Sequence, residues 1–89
     1  MDLVFTLNNG LWETEVQVTK DVNVHLEFNG VTGVLLYQKT AGENFTQVTD
    51  FSLNNRDIFD FDLFGLVYPK ALKIVCYAEP VVAVLTEAA

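Results

Sequence analysis

The stretch from Trp12 to Phe28 alternates. Trp12, Thr14, Val16 and Val18 share one parity, with Glu13, Glu15, Gln17 and Thr19 on the other. Val22, Val24, Leu26 and Phe28 then alternate with Asn23, His25 and Glu27. A period of two belongs to a β-strand, whose successive side chains point to opposite faces of a sheet. One apolar and one polar face describe an antiparallel sheet that covers a core on one side and meets water on the other. A single strand from Trp12 to Phe28 exceeds ordinary strand length, so Lys20-Asp21 is expected to divide it in two.

The same reading extends along the chain. Leu3, Phe5 and Leu7 alternate with Val4 and Thr6, and Asn8-Asn9-Gly10 closes that short strand with residues that tolerate positive φ. Asn29-Gly30 is the next expected turn. Val31 to Lys39 follows as an interior strand, with Gly33 marking a bulge or a close backbone approach. Thr40 to Asn44 forms a hairpin loop in which Gly42 takes the left-handed position, and Phe45 to Val48 returns as its partner. Phe51-Ser52-Leu53 reads as a further short alternating piece, and Asn54 to Asp57 as a polar loop. Phe59, Phe61 and Leu63 then face one way, with Asp60 and Asp62 opposed, until Gly65 ends the run.

The last strands are the most apolar. Leu72, Ile74 and Cys76 alternate with Lys73, Val75 and Tyr77, and Val81 to Thr86 follows Glu79-Pro80. These two strands are expected to form a terminal hairpin, apolar on both faces and therefore in need of cover. No 3.6-residue period persists anywhere. Roughly seven to nine short strands with regular turns predict an all-β, antiparallel two-sheet β-sandwich, immunoglobulin-like or jelly-roll-like, with a small closed barrel as second choice. With 89 residues and no linker-like composition, a single domain spanning 1–89 is expected.

Charge and cysteine content narrow the function. Twelve acids against five bases give a formal net charge of -7, which repels nucleic acid and anionic membranes. No apolar run is long enough to span a bilayer as a helix. The start, M-D-L-V-F-T-L-N-N, has no basic region before a hydrophobic run, so no secretion signal is expected. Cys76 is the single cysteine, which excludes an intrachain disulfide and a four-cysteine metal knuckle. With 51% hydrophobic and 19% charged residues, some apolar side chains are expected to face a partner rather than water.

Several constellations invite chemistry. Asp57, Asp60 and Asp62 offer hard oxygen ligands for calcium, or a general acid and base for glycoside hydrolysis. The spacing D-x-x-D-x-D lacks the glycine and terminal glutamate of a calcium loop, so a solvated strand face that resists edge pairing is expected instead. His25 is the single histidine and reads as a surface residue; Cys76 reads as a small buried hydrophobe. No catalytic residue, cofactor or metal is expected. Asn44-Phe45-Thr46 matches a glycosylation acceptor, unused in the absence of a signal. Trp12, Tyr37, Tyr68 and Tyr77 are candidates for a carbohydrate platform, although Trp12 shares its face with core positions.

Two segments carry a resemblance. Leu35 to Val48, L-L-Y-Q-K-T-A-G-E-N-F-T-Q-V, resembles the strand, glycine hairpin and aromatic-led return strand of immunoglobulin-like modules. Tyr68 to Tyr77 followed by Val81 to Thr86 resembles the final hairpin of small β-sandwich proteins of bacteriophage particles, which decorate capsids or form tail and baseplate parts. The resemblance implies a non-enzymatic structural or assembly module, located in the virion and assembled in the host cytoplasm. Protein partners are then expected, as a homo-oligomer or within a larger viral assembly, with Val75, Tyr77 and Leu85 at the interface. The alternative is an extracellular carbohydrate-binding or adhesive module, calcium-assisted at the aspartates.

Overall fold

The computed structural model describes residues 1–40, 42, 44–48, 56–64 and 69–88. These contain no helix. Their strands are β1 (Thr6–Asn8), β2 (Leu11–Val18), β3 (Val22–Thr32), β4 (Val34–Lys39), β5 (Thr46–Gln47), β6 (Arg56–Leu63), β7 (Lys70–Cys76) and β8 (Pro80–Glu87). All pairings are antiparallel. One sheet has the order β1-β2-β7-β4-β5 and the other β6-β3-β8. The pairings are nested. The N-terminal segment meets β8 through an Asp2–Val84 bridge, β2 meets β7, β3 meets β6, and β4 meets β5. That first-with-last order is the connectivity of a jelly roll, so of the two expected sandwich types the jelly-roll-like one describes this chain.

Alternation decides which side chains close the core. Val22, Val24, Leu26 and Phe28 of β3 pack with Phe59, Phe61 and Leu63 of β6 and with Leu85 of β8. Leu72, Ile74 and Cys76 of β7 and Val34 and Leu36 of β4 face them from the larger sheet. Phe28 meets Phe59 edge-on, with ring centroids 5.6 Å apart, a geometry that sets the positive edge of one ring on the negative face of the other. Trp12 and Val16 pack half-buried at the margin of this core. β7 lies inside the larger sheet, and its outer parity sets Val75 between Glu13 of β2 and Leu35 of β4, and Lys73 between Glu15 and Tyr37.

The turns follow local chemistry. Asn8 pairs with Leu11, which leaves Asn9 and Gly10 as a two-residue hairpin loop with φ of 53° and 81°. Two positive φ values suit the right-handed twist of the flanking strands, and Asn-Gly tolerates them at least cost. Gly42 has φ 82°, as the β4–β5 hairpin requires. Asn29-Gly30 does not turn the chain. β3 runs on to Thr32 with its register to β6 shifted between Glu27 and Thr32, and the chain leaves this sheet at Gly33.

Two further expectations are corrected. The first apolar run is split between sheets: Leu3 N–H donates to the Ala83 carbonyl at 3.0 Å, while Thr6 already pairs with Glu13 of β2. The terminal hairpin does not exist, because β7 belongs to the larger sheet and β8 to the smaller. Tyr77 to Glu79 carries the chain across the edge of the sandwich. β7 is instead laddered on both edges, to β2 and to β4, which leaves it no edge for β8, and β8 ladders to β3. The expected pieces at Phe51–Leu53 and Gly65 lie outside the described residues.

Leu26 is fully buried and Val31 is 66% exposed. Leu26→Ala is expected to cost about 2–5 kcal/mol in urea unfolding, and Val31→Ala under about 0.5 kcal/mol.

Candidate functional site

The outer face of the smaller sheet gathers the polar side chains. The registers of β3 with β6 and β8 set three rows across it: Asp62–Asn23–Thr86, Asp60–His25–Val84 and Ile58–Glu27–Val82. Each of these β3 residues lies opposite the core parity of its strand. The face is therefore a consequence of the same alternation that buries Val22, Val24 and Leu26.

His25 is held at both ring nitrogens. Nδ1 lies 2.8 Å from Asp60 Oδ2, and Nε2 lies 2.7 Å from Glu27 Oε2. An imidazolium satisfies both contacts as a double donor, whereas the neutral ring has one N–H to give. The hydrogen bond to Glu27 and then the one to Asp60 raise the ring's pKa above its ordinary value of 6.5. Asn23 completes the cluster. Its Nδ2 donates to Asp60 Oδ1 at 2.8 Å and Asp62 Oδ1 at 2.9 Å, and approaches the Phe61 carbonyl at 3.3 Å. Asp60 accepts on both oxygens, and the bonds from Asn23 and His25 hold its pKa below the usual carboxylate value.

This arrangement is a closed charge network. Both histidine nitrogens are spent on carboxylates, so the ring has no free position for a nucleophile or a metal ion. Asp57 is not part of it: it sits within β6, one residue off the parity shared by Asp60 and Asp62. The three aspartates therefore do not converge, and no group of three or more His, Cys, Asp or Glu among the described residues is arranged to hold a metal ion.

The other candidates are scattered. Cys76 is fully buried, and burial pushes its thiol pKa up to about 12, so the sulfur is an inert core atom. Trp12 packs on the core side of the larger sheet, while Tyr37 pairs with Lys73 and Gln47 on its outer side. Those two rings lie on opposite faces and form no common platform; Tyr68 lies outside the described residues. Val75 is 5% exposed, flanked in the ladder by Glu13 and Leu35, and Leu85 is 3% exposed in the core. Tyr77 is 53% exposed at the crossing. Because β7 and β8 occupy different sheets, Val75, Tyr77 and Leu85 do not make the single surface that a hairpin implied.

Sequence reasoning missed two groupings. Phe45 lies under two ammonium groups, with Lys39 Nζ 4.6 Å and Lys73 Nζ 5.5 Å from its ring centroid. Lys73 also pairs with Glu13 at 3.0 Å, and that bond, with one from Asn8, lowers the Glu13 pKa. The second grouping is the His25 network itself. Its one local signal is the shared parity of Asn23, His25 and Glu27; the partner aspartates come from a strand more than thirty residues away.

The chain has no significant match among protein-family models, curated proteins or solved structures.

Asp60 is expected to titrate below its ordinary pKa by carbon-detected NMR, and Asn23→Ala to move it back up. Its contribution to stability is present above about pH 3.9 and is lost as pH falls through the depressed value. A calcium titration by calorimetry is expected to show no site tighter than about 10⁻⁴ M, since Asn23 and His25 already occupy the Asp60 oxygens.

Proposed function

We propose that this chain is a non-enzymatic assembly module that acts through protein–protein contact. The observation that carries the reading is a cleft of about 440 Å³ between the N-terminal segment and the start of β8, lined by Val4, Val81 and Val82 among others. Val4 is 80% exposed, Val81 65% and Val82 38%. Single exposed apolar residues are ordinary, and Val31 is such a case. Three that line one concavity, beside polar groups, offer apolar area that association removes from water.

The reactive side chains support the same reading. His25 is committed to two carboxylates and Cys76 to the core. The proposed setting is a virion, as capsid decoration or tail component, which is what the resemblance of Tyr68–Tyr77 and Val81–Thr86 to sandwich proteins of bacteriophage particles implies. The resemblance of the C-terminal stretch to a hairpin does not carry over, since β7 and β8 are not paired with each other. Asp2 and Glu79 also line the cleft, and with the net charge of -7 they disfavour a second copy of this chain there. A contact within a larger assembly is therefore favoured over a homo-oligomer.

Photocrosslinking in the particles or cells that contain the protein tests this. A Val82→p-benzoylphenylalanine variant is expected to give a discrete protein adduct, and the same replacement of Gln47, exposed on β5, to give none. Absence of an adduct at Val82, or equal labelling at both positions, would overturn the reading.

A further inference from the structure

We propose that His25 is a protonation-controlled clasp that holds the edge strand β6 against β3. The smaller sheet has the order β6-β3-β8, so among the described residues β6 has a ladder partner on one side only. The clasp spans that ladder. His25 lies directly opposite Asp60 in the register, and its ring joins Asp60 of β6 to Glu27 of β3.

The groups that face the ring leave it the one cation in the cluster. From β3 these are Asn23 and Glu27; from β6 they are Asp60, with Ile58 and Asp62 in the adjoining rows; from β8 they are Val84, flanked by Val82 and Thr86. With the ring charged, each nitrogen donates to a carboxylate. With the ring neutral, one nitrogen turns a lone pair toward a carboxylate oxygen at 2.7 or 2.8 Å. Glu27, Asp60 and Asp62 then share the face with no positive charge between them, and the charge-assisted part of the attraction across the ladder is lost.

Deprotonation loosens β6 without dissolving the fold. Phe59, Phe61 and Leu63 stay anchored in the core, and Asn23 still reaches Asp60 and Asp62. The clasped ring binds its proton more tightly than an open one. Its contribution is therefore complete below about pH 6.5 and is lost as pH rises through the higher pKa of the clasped state. Opening uncovers the edge of β3, and an unpaired strand edge is a template for pairing with another chain. The device thus ties exposure of a sheet edge to proton concentration, independently of the apolar cleft.

Native-state hydrogen exchange on the full chain, followed by NMR from pH 5 to 9 with intrinsic rates removed, tests the clasp. Protection of β6 amides from Ile58 to Leu63 is expected to fall relative to Ile74 of β7. The fall should be about tenfold per unit by which the His25 pKa, measured on the same sample, exceeds 6.5. His25→Gln is expected to abolish the pH-dependent fall, and Glu27→Gln, which keeps the ring, to shrink it and move it to lower pH. Flat protection in the wild type would overturn the proposal. So would a fall shared equally by Ile74, or one that persists in His25→Gln or is unchanged in Glu27→Gln.

Discussion

The two-sided pairing of β3 is the constraint on which the rest of the structure depends. β3 has β6 on one edge and β8 on the other, and its strict alternation gives it a wholly apolar inner face. Val24 and Leu26 are fully buried there. The same alternation places Asn23, His25 and Glu27 together on the outer face. A one-residue slip of this strand would turn the polar row into the core and strand the valines in water, so hydrophobic burial fixes the register. The charge network then adds cross-strand contacts that exist only in that register.

Closure of the sandwich follows from nested pairing. The chain has one cysteine and so no internal disulfide. Its ends are tied by backbone groups instead. The Met1 ammonium donates to the Leu85 carbonyl at 2.8 Å, the Leu85 N–H returns to the Met1 carbonyl at 2.9 Å, and the Ala88 N–H reaches the Asp21 carbonyl at 2.8 Å. The first two bonds sit where β8 meets the N-terminal segment and the third where β8 meets the start of β3; the N-terminal ladder stops at Leu3 as the chain swings across to β1. The divergence opens the cleft beside Val81 and Val82. The surface proposed for assembly is thus a by-product of one segment serving two sheets.

Much of this was legible locally. The faces of β2, β3 and β6, the Asn9-Gly10 turn, the left-handed Gly42 and the buried Cys76 all follow from side-chain period and turn chemistry over a few residues. Long-range pairing was not. Leu72 to Cys76 and Val81 to Thr86 are two apolar runs separated by a short connection, and nothing within them distinguishes a hairpin from a crossing between sheets. The choice is made by β2 and β4, which take both edges of the first run, and by β3, which takes an edge of the second. The His25 cluster was hidden for the same reason: a histidine between two valine-parity neighbours looks like any surface residue until the register brings Asp60 opposite it.

Cross-strand backbone NOEs test the nested ladder most directly. Contacts are expected from Ile74 to both Thr14 and Leu36, from His25 to both Asp60 and Val84, and from Asp2 to Val84. A ladder of NOEs between Lys70–Cys76 and Pro80–Glu87 in hairpin register, with none from Ile74 to Thr14, would contradict it.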